Sequence, residues 1–213
     1  MTTTLNKINS HKPYHDAWDS LLLDLGKTKT NDEPLDILTI IDKGEIRFAI
    51  WCFRAIEGYY AEIRAFARFC ANINVEKIKP DCTEEEYLAI TKWLETGNEN
   101  LRIPVQDIAV ALARITTGEA SSDSRVREIR TAIRSAARSI EESTATNIHS
   151  SEAAEWATRS TVFSVIGLTV TPTPRSKEED LLRVAVKAAK AEIALAMEQE
   201  LKRILTYIKE TQC

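Results

Sequence analysis

The stretch Glu45-Ile46-Arg47-Phe48-Ala49-Ile50-Trp51-Cys52-Phe53-Arg54-Ala55-Ile56-Glu57-Gly58 decides the fold class. Phe48, Ile50, Trp51 and Phe53 stand among alanines with no polar stripe between them, so the spacing predicts a helix nearly enclosed by its neighbours. Such a helix must be covered on all sides. The flanking sequence supplies helices for that purpose and no strands.

Downstream, Tyr59 to Ile73 places Ile63, Phe66, Ala67, Cys70 and Ala71 at three- and four-residue steps, with Glu62, Arg64 and Arg68 between them. This predicts a second helix, folded back on the first as a hairpin at Gly58. Upstream, Pro13 suits the first turn of a helix carrying Trp18, Leu21, Leu22 and Leu25 and ended by Gly26, and a short helix follows through Ile37, Leu38 and Ile41. The residues before Pro13 read as a frayed terminus.

Further along, Thr83 with Glu86 three residues later forms a capping box, so a helix runs from there to about Glu95, with Gly97 as its stop. Another helix is expected after Pro104, carrying Ile108, Ala109, Leu112 and Ile115 and stopping at Gly118. The last ninety residues turn rich in Ala, Ser, Arg and Glu. They predict long helices at about 123–146, 151–168 and 176–210, the last opened by a capping box of Ser176 and Glu179. Its narrow seam of Leu182, Ala185, Ala189, Ile193, Ala196 and Leu201 suits bundle packing or a homodimer. The expectation is an all-α, multi-helix bundle with short N-terminal and long C-terminal helices. It forms a single domain over 1–213, divided into an apolar helical part (12–97) and an Ala/Arg-rich long-helix part (101–213).

At 213 residues the chain is long enough to bury roughly 70% of its unfolded surface, so no metal or disulfide is needed to hold it together. Cys52, Cys70, Cys82 and Cys213 lack CxxC spacing and read as reduced thiols. A net charge of −4 argues against a global nucleic-acid field. The N-terminus lacks the apolar segment of a secretory signal, and the run Thr161 to Val170 is far short of the ~20 residues a membrane span needs. The expected place is the cytoplasm.

Chemistry-bearing motifs are few. His11 and His15 stand four apart without an acidic or Cys ligand at metal-site spacing, and His149 has no evident partner for acid–base work. No phosphate loop, dinucleotide fingerprint, zinc-protease helix or nucleophile elbow occurs, so neither catalytic residues, a cofactor nor a metal is expected. The sharpest charge feature is Arg125, Arg127, Arg130, Arg134 and Arg138, opposed only by Glu128 before Glu141 and Glu142. Arg127, Arg130, Arg134 and Arg138 step by three or four, a basic stripe able to meet phosphates or an acidic protein surface. The plainer reading is a solvated face or a set of salt bridges. Around the apolar stretch, Arg47, Arg54, Arg64 and Arg68 alternate with Glu45, Glu57 and Glu62. Pairing of Arg54 with Glu57 or Glu62 would make a partly buried ion-pair set; otherwise these charges rim a binding groove.

Ala49-Ile50-Trp51-Cys52-Phe53-Arg54-Ala55, then Arg64-Ala65-Phe66-Ala67-Arg68-Phe69-Cys70-Ala71, the Gly97 stop and the closing stretch Gln199 to Leu205 follow in an order of their own. The order resembles that of an immunity-protein family of Ala-rich helical proteins, found in bacteria and phages and proposed to neutralise polymorphic toxins. The resemblance covers Leu35 to Gly97 best; the Arg-rich helix at 125–138 is a departure from it. It implies a non-enzymatic binder of the immunity or inhibitor class, with a toxin or other effector protein as partner; the contacts expected from the charge pattern are Arg127, Arg130, Arg134 and Arg138. Two alternatives stay open, a phage-encoded inhibitor of a host defence or enzyme, and a nucleic-acid-binding protein using the Arg stripe. No membrane partner is expected.

Overall fold

The computed structural model describes residues 1–43, 46–115, 124–145, 150–166 and 177–211. Side chains are described for these except 47, 115, 124–129, 132, 150–153, 163–166 and 177–183. The chain is all-α. Its helices are α1 (Leu5–Ser10), α2 (His15–Asp24), α3 (Ile37–Lys43), α4 (Ile46–Trp51), α5 (Tyr60–Asn72), α6 (Glu84–Thr96), α7 (Glu99–Ile115), α8 (Ser124–Ser143), α9 (Ser150–Ile166) and α10 (Lys177–Thr211). Two 3-10 segments, Cys52–Ala55 and Val75–Asp81, follow α4 and α5.

The N-terminus is not frayed. Leu5 and Ile8 of α1 are buried, Thr4 caps that helix through the Lys7 amide, and the Thr3 hydroxyl donates to the Ala55 carbonyl at 2.8 Å. Thr2–Thr3 (β1) pairs antiparallel with Leu35–Asp36 (β2), a two-residue ribbon in a chain where no strand was expected. Each segment is two residues long and three of the four are polar, so no alternating apolar pattern announced them.

The enclosed stretch is enclosed as expected, with Ala49, Ile50 and Cys52 at 0% exposure, yet it is not one helix. After six residues α4 tightens into the 3-10 turn, closed by the Ile56 amide on the Phe53 carbonyl, a common way for a helix end to satisfy its last carbonyls. The expected hairpin with α5 is replaced by packing of both helices on α9. Phe48 and Trp51 stack with centroids 5.9 Å apart.

The Thr83–Glu86 capping box forms in full, and Gly97 ends α6 in the left-handed conformation at φ 63°. α7 starts earlier than predicted, at Glu99 rather than after Pro104. The Asn98 side chain accepts the Asn100 amide there, so Pro104 lies inside the helix. The capping box of Ser176 and Glu179 lies outside the described residues.

Two buried clusters fill the interior. The first gathers α1–α5 against α9 and α10, with Phe53, Phe66, Ile50 and Met197 at its centre. The second joins the end of α5 to α6, α7 and α8 around Trp93, Ile90 and Ile140. A division between residues 97 and 101 therefore does not follow the packing, because the second cluster spans that boundary. In α10 the buried stripe is Val186, Met197, Leu201, Ile204, Leu205 and Ile208. The expected Ala185 is exposed and Leu182 lies outside the described side chains. Lys202 with Asp42 and Lys209 with Asp36 tie this helix to α3 and β2.

Between the clusters, α5, α8 and α9 meet through small residues. Ala136, Ala137, Ala154 and Ala157 are all at 0% exposure, which lets the helix axes approach closely. The Thr161 hydroxyl donates to the carbonyl of Cys70 at 2.8 Å and meets the Ser139 hydroxyl at 2.9 Å. Asn74 donates to the Thr161 carbonyl at 3.1 Å, and Thr158 sits 3.6 Å from the Cys70 sulfur. The Cys70 carbonyl is one of the last four of α5, so Thr161 satisfies a group its own helix cannot. No helix among the described residues is long and apolar enough to cross a membrane.

Candidate binding surfaces

The Arg stripe lies on α8, whose inner face is sealed by Ala136, Ala137, Ser139 and Ile140. Arg138 is 55% exposed and pairs at 3.0 Å with Glu141, one turn along the same helix. Arg130 and Arg134 are half-buried. The side chains of Arg125 and Arg127 lie outside the described residues, so three of the four stripe residues can be followed. α9, which packs along α8, exposes Trp156, and the Arg159 guanidinium sits 5.0 Å from its ring centroid.

Of the second Arg group, Arg54 and Arg64 pair, Arg54 not with the partners expected. Arg54 meets Glu155 of α9 at 2.6 Å, both about 20% exposed, and lies 5.4 Å from the Trp51 centroid. The expected Glu57 and Glu62 are replaced in that contact by a partner 101 positions away. Arg47 and Glu45 lie outside the described side chains.

Arg64 and Arg68 enter a cluster that spacing did not reveal. Both guanidinium groups lie over the indole of Trp93, at 5.9 and 5.6 Å from its centroid, and Trp93 itself is wholly buried. Its ring N–H donates to the Ser143 hydroxyl at 3.1 Å. Glu99, the first residue of α7, joins Arg64 with one carboxylate oxygen and Arg102 with the other, the latter at 3.0 Å. The bonds from Arg64, and secondarily from Arg102, hold the Glu99 carboxyl below its ordinary range. Arg102 also reaches the Thr144 carbonyl. The Arg64/Arg68 pair, four apart on one helix, was the visible signal; Trp93, Gly97 and Glu99 reach it only through the tertiary fold.

The remaining candidates stay ordinary. His15 pairs with Asp19 on an exposed helix face, and His149 lies outside the described residues. Among the described residues no group of three His, Cys, Asp or Glu could hold a metal. Cys52, Cys70 and Cys82 are free thiols. Burial pushes the Cys70 thiol up to about 12 and the Cys82 thiol up to about 11, so neither is poised as a thiolate nucleophile. Cys213 lies outside the described residues.

Comparison with protein-family models, with curated proteins and with solved structures finds no match.

Proposed function

We propose that this protein is a non-enzymatic binder of the immunity or inhibitor class, which neutralises a toxin or other effector by direct protein–protein contact through the arginine face of α8. The observation that carries the reading is the asymmetry of that helix. Its inner face is at zero exposure, while Arg138 on the other side is 55% exposed and, among the described residues, held by Glu141 of its own helix. A surface pair of that kind contributes about 0–1 kcal/mol and is readily exchanged for a partner's carboxylate. The inner packing fixes the helix, so little ordering is lost on binding. An exposed Trp156 with Arg159 on the adjoining helix adds the residue types that protein interfaces favour. The resemblance of Ala49 to Ala55 and Arg64 to Ala71 to the immunity-protein segments points the same way.

The test compares the wild type with Arg130→Glu/Arg138→Glu, leaving in place Arg134, whose Nε is buried. Tagged protein is used to capture partners from lysate of the native host, with circular dichroism as the folding control. A single protein held in fixed stoichiometry by the wild type, released by the variant and indifferent to nuclease supports the reading. Retention of nuclease-sensitive nucleic acid, with affinity falling steeply with salt, would replace it with a nucleic-acid-binding role. Loss of helicity in the variant would show the arginines to be structural.

A further inference from the structure

Among the described residues, Arg68 is a cation with an incomplete environment. Its Nε is buried and has no acceptor. One side of the guanidinium rests on the Trp93 ring, and Gly97 approaches so closely that a Cβ there would lie 2.6 Å from Arg68 Cζ. Among the described residues no carboxylate pairs with it, because Glu99 is already divided between Arg64 and Arg102. Glu99 thus serves two arginines and leaves Arg68 beside them.

A guanidinium cannot shed its proton to escape this setting, and a half-buried charge without a counter-ion is costly. The indole face offsets part of that cost. Burial and the neighbouring Arg64 both pull the Arg68 pKa down, with Glu99 opposing them. Among the described residues, then, Arg68 in particular has no paired anion.

The geometry also narrows the anion. With Nε enclosed, the two terminal Nη groups are the donors Arg68 has left, a parallel pair that matches the two oxygens of a carboxylate. Glu99 shows that the cluster accepts a carboxylate, one oxygen to each of two arginines. A phosphoryl group would need further cations around its tetrahedron, and Arg64 and Arg102 are engaged.

We propose that Arg68, framed by Trp93, Gly97 and Arg64, is a receptor for one external carboxylate. It is independent of the role assigned to α8. The carboxylate comes either from an acidic side chain of a bound protein or from a small carboxylic acid.

The full-length protein, labelled with 15N, allows the Arg68 Nε–H resonance to be followed by NMR. Burial slows its exchange, and its loss in Arg68→Lys assigns it. The probes are acetate, a hexaglutamate peptide, inorganic phosphate and, at matched ionic strength, chloride. A saturable shift with acetate or the peptide and none with chloride is expected. Saturation at lower concentration by the peptide assigns the carboxylate to a protein partner, and by acetate to a free acid. In Gly97→Ala all three arginines remain but the new Cβ displaces the fork, so saturable binding should weaken about tenfold, or roughly 1.4 kcal/mol. A response to carboxylates that tracks chloride, saturation by phosphate alone, or a Gly97→Ala variant that binds like the wild type would each overturn the proposal.

Discussion

The first apolar cluster and the seam joining α5, α8 and α9 bury helices by opposite means. In the cluster, Phe53, Phe66, Ile50 and Met197 fill volume, and stability comes from large side chains withdrawn from water. In the seam, Ala136, Ala137, Ala154 and Ala157 withdraw little area each. They bring backbones close enough for Ser139, Thr158 and Thr161 to satisfy one another and the end of α5. A core of bulk should fail when emptied; a core of close approach should fail when filled.

The largest effect expected is in the bulky cluster. Phe66→Ala should cost about 3–5 kcal/mol, seen as a lower urea midpoint at unchanged slope, because the wholly buried ring leaves a cavity. A loss under 1 kcal/mol would mean that the cluster collapses to fill the space and is less well packed than it looks. The seam should answer in the reverse sense. Ala157→Leu adds volume where none is free and should destabilise by about 1–3 kcal/mol, while the same change at exposed Ala188 of α10 should be near neutral. Equal effects at the two alanines would abolish the distinction between the regions.

Removing a hydroxyl sharpens the comparison further. Thr161→Val keeps the shape but leaves the Cys70 carbonyl without its donor, at a cost of about 1–3 kcal/mol. Ser139→Ala should cost less, since Thr161 still serves Cys70 and the Ala157 carbonyl loses only a supplementary donor. Thermal melts of the two variants give the order directly; Ser139→Ala as the worse would move the centre of the network to α8.

This contrast also explains what could be read from the chain. Local signals were legible: Thr83 with Glu86, Gly97, and the enclosed run around Ile50 each depend on residues within one or two turns. The seam was legible only as composition, because a run of Ala, Ser and Thr looks alike on a surface and in a close-packed junction. α1 and β1 escaped notice because their support is distant: Thr3 bonds Ala55, and Asn6 bonds the Asn31 carbonyl. The charged groups followed the same rule. That Arg54, Arg64 and Arg68 would be drawn in was visible beside the apolar stretch. Their partners Glu155, Glu99 and Trp93 came from other helices, and no spacing relates them.

The smallest effect expected concerns acid, and it touches the edge of the second cluster. Glu99 has a folded-state pKa below its ordinary value, first because Arg64 donates to it. Its contribution is therefore complete above the unfolded glutamate range, about 4.3, and is lost as pH falls through the lower folded value. Glu99 is largely exposed, so solvent screening keeps the effect small. Protonation nevertheless removes the carboxylate charge that Arg64 and Arg102 share. The difference in urea midpoint between wild type and Glu99→Gln should therefore shrink as pH falls from 5 towards 3, which separates Glu99 from Glu33, also held low, by Lys27. A difference constant across that range would mean that Glu99 acts through hydrogen bonds its amide keeps, and that charge does not organise the cluster.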